Sequence, residues 1–163
     1  PAVGDMGRQR HVRRRAERVM MQQLARDFAN QEGLPFSNSL DPLQGEIPQD
    51  LIDKMGELGF FGILIPEELG GLGLGYFEYC LVAEELRRAW MSVGSIIARG
   101  NTFYASVPGR DAATREERVR LMAKGQYLGA ISMSAPRVGS DVASEACRAV
   151  RDGDEWVDTG SKN

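Results

Sequence analysis

Apolar positions along the first third of the chain recur at helical spacing. From Arg8 to Gln31 they are Val12, Ala16, Val19, Met20, Leu24 and Phe28, three or four residues apart, which predicts one helix with these residues on its buried face. Gly33 and Pro35 are expected to end it, and a polar loop follows. A second helix is predicted from Pro48 to Leu58, with proline in its first turn, Gly59 just past its end, and Leu51, Ile52, Met55 and Leu58 as its buried stripe. After the apolar run Phe60 to Ile65 and a glycine-rich loop comes a third helix, Tyr76 to Arg88, in which Phe77, Cys80, Leu81, Glu84 and Leu86 mix core and rim. Residues 91–106 read as a fourth. Ala113 to Lys124 reads as a charged surface helix with Val119, Met122 and Ala123 inward and Gly125 as its stop.

The period changes at Gln126. Tyr127 to Met133 is a short apolar run, and Cys147 to Arg151 and Glu155 to Thr159 alternate apolar with polar around Asp152-Gly153-Asp154, so all three are predicted strands. The expected class is mainly α with a C-terminal β portion: a helical domain over 1–126, then the truncated start of a β-domain over 127–163. One strand and one hairpin are too few to stand by themselves.

Composition narrows the setting. The chain has 163 residues, 42% hydrophobic and 26% charged, with a formal net charge of −3. That balance offers no general attraction to nucleic acid or anionic membrane, and no apolar stretch reaches the roughly 20 residues of a spanning helix. The expectation is a cytoplasmic protein with no nucleic-acid partner and no membrane insertion. The polar, basic start lacks the apolar core of a signal peptide, and the initial Pro1 suggests a trimmed or partial chain. Cys80 and Cys147, far apart and outside any CxxC spacing, read as packing residues rather than disulfide or zinc partners. His11 is the only histidine and has no ligand cluster around it. The arginines at 8, 10, 13, 14, 15 and 18 read as a solvated face. Arg99 reads first as an ion-pair partner of Glu84 or Glu85, and second as a contact for a polar substrate.

Two glycine-containing segments are candidates for chemistry. Gly70-Gly71-Leu72-Gly73-Leu74-Gly75 before a helix imitates a phosphate loop, but it fits G-x-G-x-x-G in no frame. Glu67 and Glu68 would also repel a pyrophosphate, so the loop is expected to be a helix-to-helix connection. The second segment is Ser134-Ala135-Pro136-Arg137-Val138-Gly139-Ser140-Asp141. Pro136 cannot continue a central strand, Gly139 allows close approach of a ligand, and Ser140 and Asp141 offer a hydroxyl and a carboxylate at a bend. Taken alone it reads as an ordinary loop or as a ligand-facing strand end.

In context, Ala130 to Asp141 resembles the acyl-CoA dehydrogenase signature, in which a strand ends in T-E-P-x-x-G-S-D. Leu58 to Gly73, Val82 to Leu86, Leu121 to Ala130, Val150 to Val157 and Gly160-Ser161-Lys162 resemble other stretches of that family in the same order, covering about residues 8–163. The resemblance implies an acyl-CoA dehydrogenase-like N-terminal helical domain followed by an incomplete β-barrel-like middle domain. It implies FAD as cofactor, an acyl-CoA substrate, an electron-transfer acceptor as partner, and a homo-oligomer at full length. It also implies that Ile131, Met133 and Ser134 line the flavin, with Ser134 in place of the usual Thr. Gly139 and Ser140 would lie beside the flavin, and Ser140 also beside the substrate thioester. Trp90, Met91, Ile96, Ile97, Phe103 and Tyr104 would line an acyl-chain tunnel or simply pack the core.

The implied reaction is α,β-dehydrogenation, with a carboxylate base in a C-terminal region beyond Asn163 and no catalytic residue within this chain. Ala135 replaces the usual Glu, which keeps open a flavin-dependent oxidase or monooxygenase on the same scaffold. A non-catalytic helical interaction module is the third reading.

Overall fold

The computed structural model describes residues 3–162, with side chains from Arg14 onward. The side chains of Arg8, Arg10, His11, Val12 and Arg13 therefore lie outside the described residues. The chain divides into two compact units, Pro1–Gly129 and Ala130–Asn163.

The first unit is helical. Helix α1 (Val3–Phe28) runs through a π-helical turn (Ala29–Gly33) into α2 (Leu34–Leu40), so Gly33 and Pro35 do not end the helix as expected. The amide of Leu34 reaches back five residues to the carbonyl of Ala29, and Pro35 sits in the first turn of α2, where no amide donor is needed. Among the described side chains of α1, the buried face agrees with the expected one only at Phe28. Val19, Met20 and Leu24 are 59%, 69% and 44% exposed, whereas Ala25, Phe28 and Ala29 are buried. Both stripes keep helical spacing. The small side chain of Ala25 faces inward where α1 packs on α4, and the period alone does not choose between the two faces.

Helix α3 (Gln49–Glu57) buries Leu51, Ile52 and Met55 as its pattern predicts. Helices α4 (Tyr76–Ala89), α5 (Met91–Asn101) and α6 (Ala112–Ala123) complete the unit; α5 ends before a short 3-10 turn at Tyr104–Ser106. Asp111 caps α6, its carboxylate accepting from the Thr114 amide at 2.7 Å. On α4 the core positions are Val82, Ala83, Glu85, Leu86 and Ala89, while Cys80 is exposed and so is not the packing residue expected. Cys147 is half-buried.

The main core joins Phe28, Leu51, Met55, Phe60, Phe61, Ile63, Val82, Leu86, Val93 and Ile97, with Phe28 and Phe60 edge to face at 5.6 Å. Burying each large side chain contributes roughly 1.5–3 kcal/mol. Trp90 is 2% exposed and its indole N–H donates to the Asp41 carboxylate at 2.7 Å. Asn101 is fully buried: it accepts from the Leu64 amide at 2.9 Å and donates to the carbonyls of Phe60 at 2.7 Å and Ile97 at 2.9 Å. That side chain fastens the Phe60–Ile65 turns to α5. The glycine-rich loop doubles back on those turns, with Leu72 donating to Gly62, Leu74 to Ile63 and Gly73 to Ile65, each at 2.8 Å. A Cβ at Gly71 would stand 2.1 Å from the Ile65 carbonyl oxygen, so the close approach requires glycine. The loop is the helix connection its composition predicts.

The second unit holds one antiparallel hairpin, β1 (Arg148–Asp152) and β2 (Glu155–Thr159), with Val150 opposite Val157 and Arg151 opposite Trp156. Every hairpin residue is exposed, Trp156 at 67%. The predicted strand Tyr127–Met133 is not one. A strand exists through its ladder, and among the described residues nothing pairs with this segment. The fold is thus mostly helical with a short two-stranded sheet near the C-terminus. No described helix is long and apolar enough to cross a membrane.

Candidate functional site

The Ser134–Asp141 segment is built around a tight turn. The Ala135 amide donates to the Val138 carbonyl at 3.1 Å and the Val138 amide returns to the Ala135 carbonyl at 3.0 Å, leaving Pro136 and Arg137 at the tip. Pro136 has no amide to lose there. Ala135 and Val138 are buried, and the chain leaves the turn on both sides in the open. Ser134, Gly139 and Ser140 are exposed, as are Ile131 at 62% and Met133 at 47%. Among the described residues the hydroxyls of Ser134 and Ser140 have no hydrogen-bond partner. All five residues singled out in the sequence thus lie in one unit with free surface. Asp141 turns inward on itself: its carboxylate accepts from the Ser144 hydroxyl and its carbonyl from the Ser144 amide at 3.1 Å.

An ion pair that the sequence reading missed lies in the same unit. The Glu145 carboxylate accepts from the amides of Ala146 at 2.9 Å and Cys147 at 3.0 Å with one oxygen, and from the Lys162 ammonium with the other. Lys162 also donates to the Met133 carbonyl at 3.1 Å. The Lys162 ammonium, and then the Cys147 amide, hold the Glu145 pKa down to about 2. The neighbouring Glu145 carboxylate pushes the Cys147 thiol up, so it stays protonated and faces the Ser161 carbonyl at 3.7 Å. Glu145, Cys147 and Ser161, with the Ala135–Val138 turn, line an open cleft of about 460 Å³. Lys162 belongs to a recognised motif, but nothing in its spacing announces Glu145 as its partner.

In the first unit, Trp90 and Ile97 belong to the core, and Phe103 and Tyr104 pack half-buried at its margin. Met91, Ile96, Ile47 and Ile52 line an open groove of about 580 Å³ with Ser92, Ser95 and Arg99. Arg99 is exposed and does not pair with Glu84 or Glu85. Glu85, 3% exposed, is already held by Arg26 at 2.6 Å, Gln22 at 3.2 Å and Arg88 at 3.3 Å. No group of three metal-ligating side chains occurs among the described residues.

Chemically, the edge from Ala130 to Ser134 offers peptide groups outside any ladder among the described residues, two apolar side chains at alternate positions and a serine hydroxyl. A flat heterocycle with polar atoms along one side needs a surface of that kind.

The family described as acyl-CoA dehydrogenase, N-terminal domain, matches residues 15–126. The short-chain specific mitochondrial acyl-CoA dehydrogenase of Bos taurus is 36% identical over 146 residues, covering 88% of this chain and 35% of that protein. A glutaryl-CoA dehydrogenase in complex with glutaryl-CoA superposes with a TM-score of 0.78 at 31% identity, over 90% of this chain and 38% of the other. An acyl-CoA dehydrogenase of Bacillus anthracis complexed with FAD gives a TM-score of 0.78 at 26% identity, over 90% of this chain and 26% of the other. The chain spans about a third of the length of its bovine relative.

Proposed function

The chain belongs to the acyl-CoA dehydrogenase family, and from that premise we propose that it is the N-terminal part of a flavin-dependent enzyme that introduces an α,β double bond into an acyl-CoA. The observation that carries the reading is the signature segment. Its turn is closed by two backbone hydrogen bonds while Ile131, Met133, Ser134, Gly139 and Ser140 stay open to a ligand. In this reading residues 1–126 form the helical domain and 127–163 the beginning of the middle β-domain.

The residues present fit half of a flavin site. Ile131 and Met133 supply apolar contact for the ring, Ser134 a hydroxyl for its polar edge, and Gly139 a close backbone approach. Ser140 would contact both the ring and the thioester. FAD, when bound, supplies the acceptor for the β-hydrogen. Removal of the α-proton needs a carboxylate base and donors for the thioester oxygen. No carboxylate of this chain is assigned that role, and the base is placed in a later region of the longer protein. Electrons then pass to a separate carrier, and the full-length protein is a homo-oligomer. A cytoplasmic setting is the reading from charge and hydropathy; the bovine relative is mitochondrial by name.

Expression of the full reading frame tests this. The expected result is a yellow protein whose flavin bleaches on adding an acyl-CoA; a protein that stays colourless with added FAD refutes the reading. Ala135 in place of Glu favours a second reading, an oxidase or monooxygenase on the same scaffold. Rapid oxygen consumption without an added acceptor would select it.

A further inference from the structure

We propose that Glu145 supplies, from a different position, the carboxylate that the signature carries beside Pro136, and that the Glu145–Lys162 pair is the positioning device for the flavin-facing edge. The inference rests on the flavin reading above.

Ala135 stands where the signature has Glu, and its side chain lines the same cleft as Glu145. The cleft therefore lacks a carboxylate from one wall and receives one from another. The pair lies at the open surface of the cleft, with side chains 22% exposed for Glu145 and 28% for Lys162. The two carboxylate oxygens divide the bonding between them, one accepting two backbone amides and the other the ammonium.

The second link runs from Lys162 to the Met133 carbonyl, the peptide group between two of the residues assigned to the flavin. The lysine thus ties three parts of the unit that are far apart in the chain: the extended edge, the loop at 145–147 and the segment after β2. Lys162 thereby gives the Met133–Ser134 peptide a side-chain tether, through its bond to the Met133 carbonyl. Besides each other, the two side chains hold three backbone groups, the Ala146 and Cys147 amides and the Met133 carbonyl.

The test uses the protein from the full reading frame and four proteins: wild type, Glu145→Gln, Glu145→Ala, and Glu145→Ala with Ala135→Glu. Loss of a hydrogen bond to a charged group should raise the FAD dissociation constant about tenfold in both single variants. The flavin midpoint potential should shift with it, and restoring a carboxylate at 135 should recover most of the affinity. The Lys162 ammonium signal in NMR spectra of the flavin-free protein gives a readout independent of FAD. It should move or vanish in the single variants and return in the double variant. If both single variants bind FAD like wild type, or the double variant binds no better than Glu145→Ala, the inference is overturned. A wild type that binds no FAD refutes the flavin reading instead. The lysine signal then decides the counter-ion exchange alone, and an unchanged signal in Glu145→Gln overturns it.

Discussion

At the residue scale, the most consequential side chains are buried polar ones. Asn101 satisfies three backbone groups at once, and replacing it with Leu leaves them unpaired in a dry core. The expected cost is about 3 kcal/mol in urea unfolding of the chain. Glu85 holds Arg26 and Gln22 across the α1–α4 seam and Arg88 on its own helix, and the hydrogen bond from Arg26 sets its pKa below the ordinary carboxylate range. Its folded pKa is depressed, so its stabilisation is full above the unfolded value near about 4.3 and fades as pH falls through the folded value. A Glu85→Gln variant should be less stable at pH 7 and lose less than wild type between neutral pH and about pH 3. At the proposed flavin edge, Ser134→Ala in the full-length protein removes one neutral donor and should weaken FAD binding about 3- to 10-fold. The Ser134–Asp141 candidates were legible because several motifs occur in family order. Asn101, Glu85 and Glu145 were not, since their roles depend on which backbone groups and cations face them after folding.

At the element scale, α3, α4 and α6 followed from spacing to within a residue, whereas the bounds of α1 and α5 were off by several residues and α2 was expected to be a loop. The face of α1 was misjudged because apolar and small residues form two interleaved stripes, and only packing on α4 selects the one containing Ala25. Pro35 signals a stop when read as an interior residue but starts α2 without penalty, the π-helical turn absorbing the change of register. Tyr127 to Met133 has strand composition but no ladder partner among the described residues. The glycine-rich loop allows a graded test. Gly70 has φ of +84° with open space around its Cβ position, whereas a Cβ at Gly71 would collide with the Ile65 carbonyl. Gly70→Ala should cost roughly 1 kcal/mol, and Gly71→Ala clearly more, read as the ordering of their melting temperatures.

At the scale of the whole molecule, the two units differ in how much they bury. The helical unit encloses a large main core and a smaller second cluster, while the second unit exposes both strands of its hairpin. A peptide of residues 130–163 should therefore be largely unstructured by circular dichroism, since an isolated hairpin is at best marginal in water. The 163-residue chain by itself should reduce no dye with an acyl-CoA and retain no flavin on gel filtration, because it offers one side of the proposed site and no assigned base.

The two tryptophans fall one in each unit, and their surroundings are opposite. Trp90 is enclosed with its indole nitrogen bound to Asp41, and Trp156 stands on the exposed hairpin. Their fluorescence should separate accordingly. Light from Trp90 should be blue-shifted and insensitive to acrylamide, and light from Trp156 red-shifted and readily quenched. Phe substitutions at one or the other would then give a protein in which each unit reports its own order optically, without any added label.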